Sequence, residues 1–294
     1  MPVGQGALGE VKTYDLAFGC GFTCAVTQAL REAGLQFASF PFDWTATPSF
    51  PKAARMVATD FAHWMDRADL ELVDVRHSGI NRRIYVNRRT GFGFVHDFSL
   101  FMEPDVSYEA ESAKYARRIE RLERCLAAAR RVLAVCVEWP ILQPLTLETL
   151  AETKRILEMR HRNASFDLMY FHAVDGATEA RVESDEGGIT VLGCEYRKYL
   201  PSGALHHEID NSQIAAYLKA NVSVPDVRSE DEKARYAAEW KRQDAARWHG
   251  RNPFETFVNR TAFRCYRKLE RFLEKKGLAP PERPMWFVPT DEPR

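Results

Sequence analysis

The sequence predicts an α/β fold: a central, mostly parallel sheet flanked by helices, with a C-terminal helical extension. Three observations carry that reading. Val132 to Val137 is continuously apolar and Phe166 to Phe171 nearly so, the pattern of strands buried on both faces. Glu109 to Arg131 and Leu147 to His161 show helical periodicity beside them, so strand and helix alternate. From about Ser212 onward the pattern is helical alone. The division expected is an α/β domain over 1–210 and a helical extension over 211–294 packed on it.

Taken in order, Thr13 to Phe18 reads as a buried strand entering a tight turn at Gly19-Cys20-Gly21. A helix is expected from Cys24 to Ala33, with Val26, Leu30 and Ala33 on its apolar stripe, Thr23 as N-cap and Gly34 as its stop. Ser39 to Trp44 forms a loop before a helix around Lys52 to Asp66. Ile80 to Val86 and Phe92 to Phe98 flank Asn87-Arg88-Arg89-Thr90-Gly91, a hairpin by its Asn and Gly. The long charged helix at Glu109 carries Tyr115, Ile119, Leu122, Leu126 and Ala129 on one face. Arg181 to Glu183 and Ile189 to Cys194 make a second hairpin about Gly187-Gly188. Helices over Ser212 to Ala220, Glu230 to Arg247 and Pro253 to Lys276 precede a Pro-rich tail.

Composition excludes several classes. There are 41 basic and 41 acidic residues in 294, and a dedicated nucleic-acid binder needs a basic excess. No basic segment followed by an apolar run opens the chain, and no apolar stretch is long enough to span a membrane. Six cysteines spread thinly along the chain read as reduced thiols of a cytoplasmic protein rather than a disulfide framework.

One of those thiols stands where chemistry is easy. Cys24 follows a strand and a glycine-rich turn at the start of a helix, where unpaired amides and the helix dipole favour thiolate. Gly19 and Gly21 would let the backbone turn and present amides to an incoming carbonyl oxygen. The bland alternative is a small side chain packed under the turn. A thiol nucleophile needs a base, and His96 ends an apolar strand; His172, at the end of another, is its rival.

Gly21-Phe22-Thr23-Cys24, the helix Ala25 to Arg31, Gly34-Leu35 and Pro41-Phe42-Asp43-Trp44 resemble the N-terminal signature of a bacterial family of unknown function, described as "putative papain-like cysteine peptidases". Val95-His96-Asp97-Phe98 is similar to its His-Asp-Phe element. Arg117 to Leu122, followed by Val132 to Val135, is similar to its Arg-rich helix and next strand. The resemblance spans roughly residues 13 to 200 and implies a Cys24–His96 pair, in the chain order of papain-like sites. A carboxylate should orient the histidine: Asp43 and Glu138 rank above Asp97, because neighbours on a regular strand face opposite ways. Asp43 can equally be a structural carboxylate of its loop. Gly21, Trp44, Asp97, Arg117 and Arg118 are the expected substrate-side residues.

The chemistry implied is a thiol-dependent hydrolase or acyl transferase acting on a peptide, acyl or anionic glycan-type substrate, without cofactor or metal. The alternative is a non-peptidase transferase or a binding protein for an anionic carbohydrate or nucleotide-linked substrate, using Arg117, Arg118 and the arginines of Asn81-Arg82-Arg83 and Asn87-Arg88-Arg89. Cys20 and Cys24 begin a radical iron–sulfur motif, but Thr27 stands where its third cysteine belongs. His206-His207-Glu208, a dense cluster in what reads as a polar loop, is a weak metal candidate.

Overall fold

A computed structural model describes residues 11–22, 24–76, 82–100, 102–139, 142–199, 205–226, 228–235, 238, 272 and 276. The chain runs β1 (Lys12–Thr13), β2 (Leu16–Gly19), α1 (Ala25–Glu32), β3 (Thr45–Ala46), α2 (Phe50–Ala58), β4 (Leu70–Arg76), β5 (Arg82–Asn87) and β6 (Gly93–Ser99). It continues with α3 (Pro104–Ala128), β7 (Arg131–Val137), α4 (Leu147–Arg160), β8 (Ser165–Ala173), β9 (Arg181–Glu186), β10 (Ile189–Cys194), β11 (Arg197–Tyr199), β12 (Leu205–Ile209), α5 (Ser212–Asn221) and β13 (Val222–Ser223).

The central sheet has the order β2-β7-β8-β10-β9, parallel except for the edge strand β9. Alternation along its strands sends side chains to two cores. Phe18, Ala134, Cys136, Leu168 and Tyr170 face one, where Leu122, Leu126, Leu150 and Leu157 of α3 and α4 cover them. Ala17, Leu133, Val135, Met169 and Phe171 face the other, under Val26 and Leu30 of α1 and Ile214 and Leu218 of α5. Helices on both faces explain why these strands read as nearly continuous apolar runs.

A separate antiparallel sheet, β3-β6-β5-β4, lies on the α3 side. Its anchor is an aromatic cluster: Trp64 lies 4.7 Å from Phe92 and 5.8 Å from Tyr115 between ring centroids, and Phe42 lies 5.6 Å from Trp64. Strand β4 escaped the sequence reading, although Leu70-Glu71-Leu72 and Val73-Asp74-Val75 alternate apolar and acidic residues.

Other expectations need correction. The helix expected around Lys52 to Asp66 stops at Ala58. Asp60, Phe61 and His63 then adopt left-handed backbone, which no helix continues through, and the resulting turn buries Phe61 and Trp64. Cys24 is the cap of α1 rather than its first helical residue, and Thr23, the expected cap, lies outside the described residues. The presumed loop at His206-His207-Glu208 is strand β12, paired with β11. Helix α5 and β13 belong to the main body, since Ile214, Leu218 and Val222 are in the second core and β13 pairs with β1. Residues 230–235 are helical; most of the two last expected helices and the Pro-rich tail lie outside the described residues. No helix among the described residues is long and apolar enough to cross a membrane.

Candidate active site

The residues that position Cys24 are strand residues before it and a glycine whose reason is steric. The amide of Cys20 donates to Val135 O at 2.8 Å and that of Phe22 to Val137 O at 3.1 Å, so the chain follows β7 past the end of β2. A Cβ on Gly21 would meet Val137 N at 3.0 Å and Val137 O at 3.1 Å. Gly21 is thus required by close approach to a neighbouring backbone, not by the sharp turn expected of it. The Phe22 amide is spent on β7 and cannot serve an oxyanion, which narrows the expected set of donors around Gly21 to Cys24. The Phe22 ring packs on Trp139, with centroids 3.6 Å apart.

Cys24 is half-buried at the positive end of α1, and no acidic residue occupies the first turn of that helix. Cys20 is the thiol that could compete by sequence. It is fully buried, and burial, then Asp43, pushes its pKa up. Burial, with Glu138 and Cys20 adding to it, does the same to Cys136.

Residues 42–47 touch both the loop before Cys24 and the strand of His96. Thr47 donates its amide to Phe22 O at 3.0 Å, two residues before Cys24. Thr45 pairs with Phe94, two residues before His96. Immediately before Thr45, Trp44 sits at φ 69°, a left-handed conformation that costs a non-glycine residue roughly 1–3 kcal/mol. There its ring meets the His96 ring edge-on at 6.0 Å, while the Arg31 guanidinium lies 5.5 Å from its centroid.

Asp43 builds this segment. Its Oδ1 accepts from Thr27 Oγ1 at 3.0 Å, and its Oδ2 from Gln36 Nε2 at 2.6 Å and the Phe40 amide at 2.9 Å. Thr27 lies on α1 one turn beyond Cys24, so the carboxylate ties the thiol's helix to the Trp44 loop. Burial raises the Asp43 pKa, against the pull of Arg118, the Phe40 amide and Arg31. Helix α3 holds the same loop from outside: Arg118 donates to Asp43 O at 3.4 Å and Arg121 to Ser39 O at 2.7 Å. Arg118 is buried and lies over the Tyr115 ring, whereas Arg117 is exposed.

The other carboxylates have distinct settings. Asp97 is buried between Lys114 Nζ at 2.5 Å and Tyr115 OH at 2.9 Å, facing α3. Burial opposes its ionisation, but Lys114, Arg118 and Tyr115 together hold its pKa below the usual range. Glu138, at the end of β7, accepts from the Trp139 amide at 2.8 Å and from Tyr170 OH at 3.1 Å. His172 Nε2 bonds Glu183 Oε2 at 2.8 Å, its ring stacked on Tyr170. It stands on β8, with β7 between it and the strand that leads to Cys24.

Asp43 is thus bonded to Thr27 of the helix that Cys24 caps, Thr47 to Phe22 and Arg118 to the Asp43 carbonyl, while Trp44 lies against His96. Glu138 lies one strand over, and Asp97 turns to α3. Thr27, Gln36 and Arg31 were missed by sequence reasoning, while Arg82 and Arg121 entered it as anion-binding arginines and not as donors to the backbone of this site. The signal for two of them was present: Thr27 follows Ala25-Val26 and Gln36 stands between Leu35 and Phe37, polar residues in apolar stretches, and both are buried.

Residues 16–170 match the model of a family described as "putative papain-like cysteine peptidase". The chain belongs to this family. The match covers just over half of the sequence and contains Cys24, Asp43, Trp44, His96, Arg118 and Glu138. No curated protein and no solved structure matches the chain.

Proposed function

We propose that the protein is a thiol-dependent hydrolase or acyl transferase in which Cys24 is the nucleophile and His96 the base. The Cys24 proton passes to His96 and the sulfur attacks a substrate carbonyl. The resulting tetrahedral adduct expels an amine, alcohol or thiol that takes the proton back, leaving a thioester on Cys24. Water or a second nucleophile then releases the acyl group.

The observation that carries this reading is the 42–47 segment, bonded at Thr47 to the loop of Cys24 and at Thr45 to the strand of His96, with Trp44 against the imidazole. Membership of the family supports it. The alternative, an anion-binding surface built from arginines, draws less support. Arg82, Arg83, Arg118 and Arg121 each donate to backbone carbonyls, to those of His96, Ser99, Asp43 and Ser39 among others.

The test is the rate of iodoacetamide alkylation at Cys24 against pH, read by mass spectrometry in wild type, His96→Ala and His172→Ala. A Cys24 pKa well below ~8.5 that rises in His96→Ala and not in His172→Ala is expected. An ordinary pKa indifferent to His96 would refute the pair, and a rise confined to His172→Ala would transfer the base to β8.

A further inference from the structure

His96 sits in an irregularity of its strand that decides where its ring goes. Arg83 pairs with Phe98 and Tyr85 with Phe94, so Ile84 alone faces Val95, His96 and Asp97. Strand β6 therefore carries two extra residues at this point, a bulge larger than the usual single insertion. In a regular strand Asp97 would face away from Phe94 and Phe98. Here all three face one way: Phe94 lies 5.3 Å from the Tyr115 ring and 6.2 Å from Phe98, and Asp97 accepts from Tyr115 OH. The bulge frees His96 from that face and turns its ring to Trp44.

A bulge breaks the hydrogen-bond ladder, and its carbonyls need other partners. Arg82 Nε donates to His96 O at 2.9 Å. The guanidinium is buried and springs from the neighbouring strand, where Arg82 pairs with Ser99. We propose that Arg82 is a positioning residue: its Nε–H fixes the His96 carbonyl in the bulge and thereby aims the imidazole at the thiol. This deepens the Cys24–His96 reading and rests on it for its consequence at sulfur. Arg83, next in sequence, offers the natural comparison, because its Nη1 holds Ser99 O at 2.6 Å and Met102 O at 3.0 Å, beyond the bulge.

Two near-isosteric variants separate the donor from the bulk. Arg82→Gln places an amide N–H where Nε stood, and Arg82→Met places a methyl there. Two readouts apply: the His96 ring resonances by NMR, which the Trp44 ring current displaces, and the pH profile of Cys24 alkylation. Arg82→Met is expected to lose the displacement and raise the Cys24 pKa toward ~8.5, slowing alkylation about tenfold per pH unit of that rise at lower pH. Arg82→Gln should stay near wild type in both. Arg83→Met should lower the melting temperature and move neither.

The proposal is overturned if folded Arg82→Met keeps the wild-type His96 resonances, or if Arg83→Met disturbs them equally. Should Arg82→Met fail to fold, Arg82→Gln decides alone, since loss of the displaced resonances there contradicts the assigned donor. Failure of the underlying pair has a different signature. Cys24 would then titrate ordinarily in wild type and in His96→Ala, while the NMR arm would still report on Arg82.

Discussion

Asp43 offers a test of what holds the candidate site together, because two substitutions separate its charge from its hydrogen bonds. Asp43→Ala removes the acceptor for Thr27, Gln36 and the Phe40 amide at once. A buried donor left without a partner costs about 1–3 kcal/mol, so stranding the Phe40 amide, one N–H of Gln36 and the Thr27 hydroxyl costs roughly 3–5 kcal/mol. At roughly 2–4 °C per kcal/mol for a domain of this size, the melting temperature falls by about 10 °C. Asp43→Asn behaves differently. Its carbonyl oxygen can take the place of Oδ2, and its NH2 can donate to the Thr27 hydroxyl, which accepts as readily as it donates. Only the charge is lost, and burial already disfavours that charge enough to raise the Asp43 pKa. The asparagine variant should therefore lie within about 1 kcal/mol of wild type.

The sign with pH follows from the same shift. A carboxyl whose folded pKa is raised keeps its proton in the native state where the unfolded chain has lost it. Wild type thus loses stability relative to Asp43→Asn as pH climbs from about 3.9 through the folded pKa. Urea unfolding of the three proteins across pH 3 to 8 measures both effects. Equal destabilisation by Asn and Ala, or a gap between wild type and Asn that moves the other way, would refute the assignment of Asp43 as a hydrogen-bond acceptor first and a charge second.

Three further outcomes are expected. Gly21→Ala drives a Cβ into the Val137 backbone and should cost about 1–3 kcal/mol and change the Cys24 alkylation rate, whereas an unaltered protein would mean that the approach to β7 is not constrained. In the native state iodoacetamide should label Cys24 and spare the buried Cys20 and Cys136, which react only at the rate of global unfolding; prompt labelling of Cys20 would contradict its burial. The depressed pKa of Asp97 contributes stability that is present above about pH 3.9 and lost as pH falls through the lower folded value. Tyr115→Phe removes one of its hydrogen bonds, so the variant should be about 1.5–3 kcal/mol less stable at neutral pH, with the gap closing in strong acid; a constant gap would place the loss elsewhere.

Local sequence determined a good deal of this protein. Continuous apolar runs at Val132 to Val137 and Phe166 to Phe171, with periodic helices between, fixed the class of fold, because a strand covered on both faces has no polar side to show. The glycine-flanked turn before a helix marked Cys24, and Pro-Phe-Asp-Trp marked the loop beside it. Both signals are local in the chain, and short-range backbone geometry is what composition and spacing encode.

Only tertiary structure decided the rest. That Asp43 spans from Thr27 to Phe40, and that Gly21 is needed by Val137, are facts of chain segments meeting, which no spacing records. The direction of His96 is the sharpest case. Alternation along a strand predicts that Asp97 and Phe98 oppose each other, and the bulge opposite Ile84 cancels that rule. A bulge arises from a mismatch between two paired strands, so it belongs to neither sequence alone, and it is what sends Asp97 to Tyr115 and His96 to Trp44.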